Sequence, residues 1–130
     1  MTNEELIAKA KEVMKKAYAP YSHFQVGAAL LAKDGRVFTG CNVENATYGA
    51  TICAERTAVT KAVSEGVREF EKIAIVASSG EYAAPCGICR QVLFEFMPEG
   101  KVVLWSELEG EKEFALTELL PFGFRGEDIK

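Results

Sequence analysis

Apolar residues recur along the chain first with a helical period, then in short strand-like runs, and each change of rhythm marks an element. Thr2-Asn3-Glu4-Glu5 has the pattern of a capping box and opens a run in which Leu6, Ile7, Ala10, Val13, Met14 and Ala17 share one helical face. The helix is predicted to stop near Tyr18, because Pro20 biases its predecessor away from helical angles. Val26 to Ala32 and Val37 to Cys41 then read as two antiparallel strands, joined across Lys33-Asp34-Gly35-Arg36, where Asp-Gly signals a tight turn. A second helix is predicted from about Cys53 to Glu65, with Ala54, Ala58, Val59, Ala62 and Val63 spaced for burial and Gly66 suited to a left-handed cap. Ile73 to Ala77 is apolar throughout and is expected as a central strand.

A third helix fits Gly87 to Met97, ended by Pro98, and Val102 to Trp105 reads as a fourth strand. In the tail, Phe114 to Leu116 suggests a short strand and Thr117 to Leu120 a helical turn before Pro121, while Phe122 to Lys130 carries no assignable pattern. The strand and helix alternation implies an α/β fold, with an at least partly parallel sheet and helices on its faces. No repeat or linker interrupts it, so residues 1–130 are expected to form a single domain.

Composition narrows the function. A hydrophobic content of 48% with 26% charged residues is that of a globular chain able to bury one full core. No apolar run approaches the roughly 18 residues of a transmembrane helix, and the first residues lack the basic-then-apolar pattern of a signal peptide, so the expected location is the cytoplasm. Four cysteines in that compartment are expected to stay reduced, which turns attention from disulfides to metal or catalysis. The formal net charge is −4 and no basic run stands out, which argues against a nucleic-acid or other polyphosphate partner and for a small neutral substrate.

The spacing of the cysteines carries the chemistry. Pro85-Cys86-Gly87-Ile88-Cys89 opens one predicted helix and Cys53-Ala54-Glu55 opens another. Helix starts present free N–H groups and the positive end of a dipole, which favours thiolate over thiol. A closed structural zinc site takes four protein ligands, whereas a catalytic one keeps three and leaves a position for water. Cys41 and His23 are the candidates for a fourth ligand, and an open three-cysteine site is the preferred reading. A redox pair would leave Cys53 and Glu55 idle, and a purely structural zinc would leave the carboxylate of Glu55 unexplained. Three thiolates around a divalent cation leave a net −1, so a compensating cation is expected; Arg56 and Arg90 each stand one residue beyond a site residue, Arg90 more in keeping with an exposed helix face.

The signature Cys53-Ala54-Glu55 with Pro85-Cys86-Gly87-Ile88-Cys89 resembles that of the zinc-dependent nucleoside and base deaminases. Beyond it, Pro20-Tyr21-Ser22, Phe24 to Leu30, Asn42 to Ala46 and Cys53 to Arg56 resemble the short, homotetrameric cytidine deaminases over nearly the full length of the chain. The resemblance implies a three-layer α/β/α sandwich with a mixed β-sheet, zinc (Zn2+) held by Cys53, Cys86 and Cys89, and a water of lowered pKa attacking C4 of the pyrimidine. It implies that Glu55 carries the protons and that Arg56 bonds to the ligand cysteines. Asn42 and Glu44 would bind the ribose, with Val43, Asn45, Ala46, Thr47 and Tyr48 walling the pocket, Phe24 against the base and backbone groups near Ala54 on its polar edge. Tyr48 and Phe124 would reach a neighbouring subunit's site, although Phe122 and Arg125-Gly126 depart from the expected tail. The implied reaction converts cytidine and deoxycytidine to uridine and deoxyuridine in pyrimidine salvage. Blasticidin-S, another nucleoside or an RNA or DNA base are the alternative substrates within the same fold, and a non-catalytic zinc module is the alternative outside it.

Overall fold

The computed structural model describes residues 1–129; Lys130, the end of the unassigned tail, lies outside them. Five strands, β1 (Val26–Ala32), β2 (Val37–Cys41), β3 (Phe70–Ala77), β4 (Lys101–Ser106) and β5 (Gly110–Ala115), form one sheet in the order β2-β1-β3-β4-β5. Only β3 and β4 pair in parallel, so the sheet is mixed and β3 is its middle strand, as its unbroken apolar run predicts. The helices are α1 (Asn3–Met14), α2 (Ala54–Ser64), α3 (Gly87–Phe96) and the single turn α4 (Leu116–Leu119).

Alternation along the strands divides the core in two. Ala28, Leu30, Ile73, Ile75, Val102 and Leu104 face one side and pack with Ala58, Val59, Leu93 and Phe94 of α2 and α3. Ala29, Leu31, Ala74, Val76 and Val103 face the other and pack with Leu6, Ile7 and Ala10 of α1. With both faces covered, β1 and β3 are apolar on consecutive positions, and the result is a three-layer α/β/α sandwich.

Local chemistry explains the element boundaries. The capping box of α1 is formed, with the Thr2 side chain accepting from Glu5 N and Glu5 accepting from Thr2 N. The helix stops at Met14 rather than near Tyr18, because Tyr18 is drawn into backbone bonds with Asn42 and Glu44. Gly35 takes the left-handed turn of the hairpin at φ 96°. Gly66 (φ 88°) closes α2 in a Schellman motif, with Gly66 N bonding Val63 O and Val67 N bonding Ala62 O. The tail differs from its expected reading: β5 begins at Gly110 and ends at Ala115, and Leu116 opens α4 instead of closing a strand. Glu111, Lys112 and Glu113 are exposed on this edge strand, so its outer half has no apolar alternation to read.

Candidate active site

β2 and β3 run in the same direction with β1 between them, so the helices that follow them, α2 and α3, begin at the same edge of the sheet. Cys53 immediately precedes α2 and Cys86 immediately precedes α3; both have extended backbones and neither side chain caps its own helix. Their sulfurs are free to turn toward each other and stand 3.9 Å apart. Cys89, buried in the first turn of α3, completes a triangle in which all three sulfurs lie within 4.8 Å of one another.

Tetrahedral zinc with Zn–S bonds of about 2.3 Å separates its sulfurs by about 3.8 Å, so this donor set fits the ion in spacing as well as in kind. All four cysteines are free thiols, and the triangle is the only cluster of three or more potential ligands among the described residues. Cys41 and His23 stand outside it, and His23 is exposed on a left-handed backbone (φ 60°). Three protein donors with Cys86 on the solvent side make an open site.

The thiols already share charge unevenly. Cys53 is lowered to about 5, chiefly by a hydrogen bond from Cys89, with the Arg56 guanidinium adding to the effect. Cys89 is raised by giving that hydrogen bond and by burial. All three would bind a divalent cation as thiolates, so their shared protons would leave on binding. Arg56 Nη2 lies 3.5 Å from Cys53 Sγ and 3.3 Å from the Thr51 carbonyl oxygen, which puts one positive charge against the sulfur-rich centre.

Glu55 lies in the first turn of α2, two residues past Cys53, and only 5% of it is exposed. Burial, aided by the charge on Cys53, pushes its pKa up to about 7. A carboxyl group poised near neutrality can both accept and return a proton.

Paired backbones bring the substrate-side segment to this edge. Val43 exchanges two hydrogen bonds with Ile52, at 2.9 and 3.0 Å, directly before Cys53, and Tyr18 bridges to Val43 from the other side. Asn42 is 8% exposed; its carboxamide accepts from Val26 N and donates to Phe24 O, each at 2.8 Å, so it fixes the backbone on both sides of Gln25 and keeps one donor and one acceptor site free. The Glu44 carboxylate accepts from Tyr21 N, Ser22 N and the Ser22 hydroxyl, and these bonds, led by the hydroxyl, lower its pKa. Glu44, Tyr21, Ser22, Tyr48 and Thr51 line one cleft, and Tyr21 meets Tyr48 edge to face at 5.8 Å. Asn45 accepts from Thr47 N and turns the loop through Ala46, while Ala54 is fully buried and leaves only backbone to offer. Phe24, Val43 and Tyr48 are exposed, and Tyr48 is part of the cleft lining.

Two partners were missed from sequence. Ser22 belongs to a quoted motif, yet nothing in the chain's local pattern says that it docks on a carboxylate 22 positions away. Arg90 does not lie free on an exposed helix face: Nε donates to Pro85 O and Nη1 to Leu119 O, each at 2.7 Å. In the tail, Phe122 and Phe124 are both exposed instead of packing into their own core, and the Phe124 backbone is held by Gln91.

Three thiols spaced for zinc, with a buried carboxylate beside them at one edge of a mixed sheet, fit a zinc hydrolase. A family model for the cytidine and deoxycytidylate deaminase zinc-binding region matches residues 1–105, and the chain belongs to that family. It is 49% identical over 130 residues to a cytidine deaminase of Sporosarcina psychrophila, covering 99% of this chain and 96% of that one. It is 50% identical over 130 residues to a cytidine deaminase of Halalkalibacterium halodurans, covering 99% and 98%. The crystal structure of cytidine deaminase from Burkholderia pseudomallei superposes with a TM-score of 0.90 at 49% identity, covering 95% of this chain and all of that one.

Proposed function

We propose that the chain, as one domain, hydrolyses cytidine and deoxycytidine to uridine and deoxyuridine with release of ammonia. The observation that carries this reading is the buried Glu55 beside three thiols spaced for zinc, in a family of zinc-binding deaminases. Cys53, Cys86 and Cys89 would hold the ion, which when bound would supply Lewis-acid activation of the attacking water.

Glu55 removes a proton from the attacking water as the C4–O bond forms and delivers it to ring N3. It then takes the remaining hydroxyl proton and gives it to the amino group, so the C4–N bond breaks and ammonia leaves. Arg56 offsets the excess negative charge of three thiolates. Glu44 and Asn42 hold ribose hydroxyls; Phe24, Val43, Asn45, Ala46, Thr47 and Tyr48 shape the pocket, and the backbone at Ala54 meets the base.

The substrate is a free nucleoside and not a nucleic acid, in keeping with a net charge of −4. No helix among the described residues is long and apolar enough to cross a membrane, and a cytoplasmic role in pyrimidine salvage agrees with that. A homotetramer, in which Tyr48 and Phe124 complete a neighbour's site, accounts for aromatic side chains left exposed around the mouth and on the tail.

The test is ammonia release from cytidine, deoxycytidine, adenosine and blasticidin-S with the zinc-loaded protein. Turnover of both cytidine nucleosides, and of neither adenosine nor blasticidin-S, is the expected result. Zinc binding without turnover of any of the four would overturn the reading in favour of a non-catalytic module.

A further inference from the structure

We infer that Arg90 is a positioning residue that ties the zinc loop to the C-terminal segment, so that ligand geometry and tail geometry are set by one side chain. Arg90 sits one residue after Cys89, and its own backbone N–H continues α3 by bonding Cys86 O at 2.9 Å. Its side chain folds back past the start of the helix, and Nε meets the carbonyl of Pro85, the residue that leads into Cys86. Nη1 meets the carbonyl of Leu119, the last residue of α4 and 29 positions along the chain.

The chemistry suits an arginine. Pro85 is buried, and the last carbonyls of a helix have no intrahelical donor, so both acceptors need a partner from elsewhere. A rigid planar fork reaches two such oxygens at once, which a single ammonium does not. The Cys86 side chain is exposed and makes no cap bond to its own helix, and its sulfur meets Cys53 Sγ at 3.9 Å, so the backbone that enters Cys86 sets where that sulfur sits.

The next residue extends the connection. Gln91 Nε2 donates to Phe124 O at 2.6 Å and Gln91 Oε1 accepts from Phe124 N at 3.2 Å, a two-point amide pairing that fixes the tail backbone at the exposed Phe124. Between the two anchors the tail lies directly on α3: a Cβ at Gly123 would stand 2.8 Å from the Phe94 ring. The N-terminal part of α3, with Cys86 at its cap and Cys89 in its first turn, therefore carries both the proposed zinc ligands and the seat of the tail.

This inference rests on the reading of Cys86 as a zinc ligand, and the experiment keeps the two apart. Zinc content of the wild-type protein is measured first; a wild type that binds no zinc defeats that reading itself. With zinc bound, release to an excess of chromogenic chelator is timed for wild type, Arg90→Ala, Arg90→Lys and Gln91→Ala, alongside amide hydrogen exchange over 84–89 and 116–125. Arg90→Ala is expected to release zinc about 10-fold faster or more and to exchange faster in both segments. Arg90→Lys, which keeps the charge but gathers its donors on one nitrogen, is expected to fall between Arg90→Ala and wild type. Gln91→Ala is expected to speed exchange in the tail alone and to leave zinc release at the wild-type rate. Wild-type zinc release, or unchanged exchange in either segment, in Arg90→Ala would overturn the inference; should that variant not fold, Arg90→Lys decides on the same readouts.

Discussion

Glu55 derives its proposed role from where α2 begins. Only its immediate neighbourhood in sequence was needed to suspect it, but the raised pKa of about 7 comes from burial, which no motif states. Glutamine matches its shape and is neutral, so Glu55→Gln is expected to keep fold and zinc while deamination falls about 10²–10⁴-fold or more; metal analysis and turnover on one preparation check it, and near-normal turnover would remove Glu55 from the mechanism. Arg56 offers a second residue-level prediction. Its Nη2 meets Cys53, while its Nε is buried without a partner, which marks a cation held in place for its charge more than for a full set of hydrogen bonds. Arg56→Ala is expected to keep some activity and to bind zinc about 10–100-fold less tightly, read by competition with a chelator. The cysteines and Glu55 were legible because their spacing is local to two helix starts. Arg90 and Ser22 were not, because each acts on an acceptor far away in the chain.

At the scale of elements, the site depends on α2 lying close against the sheet, and Gly40 of β2 permits that approach. A Cβ there would stand 2.5 Å from Ala58 N and 2.6 Å from Ala54 O, and both are backbone atoms that cannot rotate away. Gly40→Ala is therefore expected to push α2 outward, cost about 1–3 kcal/mol in stability and weaken zinc binding through Cys53. The checks are a thermal melt and a metal titration. Gly126→Ala, with open space at its Cβ and no positive φ, serves as the control, and its change should stay within about 0.5 kcal/mol. Equal melts for the two variants would refute this account of the packing. The same level shows what sequence could and could not give. The capping box at Thr2 and Glu5, the Asp34-Gly35 turn and the apolar run of β3 were readable because each is a local signal. The end of α1 was not, because Tyr18 is claimed by Asn42 and Glu44 across the fold, and β5 was only half visible because its charged residues lie on an open sheet edge.

At the scale of the whole molecule, the described chain leaves its chemistry uncovered. Phe24 is 42% exposed, Tyr48 74% and Phe124 52%, and Cys86 lies on the solvent side of the thiol triangle. A deaminase must hold its substrate away from bulk water, and large aromatic faces lose little by being covered. Symmetric assembly would cover them and supply the same aromatic groups to every site at once. The arrangement predicts complementation between defective chains. An inactive Glu55→Gln chain is mixed, after reversible dissociation, with a chain that keeps Glu55 but carries Ala at both Tyr48 and Phe124. If sites are shared, some hybrid sites combine an intact Glu55 with intact aromatics donated by the other chain, and activity should exceed that of either parent. Mass measurement of the mixture verifies that hybrids have formed, and light scattering gives the size of the unmixed protein. Confirmed hybrids with no gain in activity would count against shared sites, and a monomer in solution would end the idea.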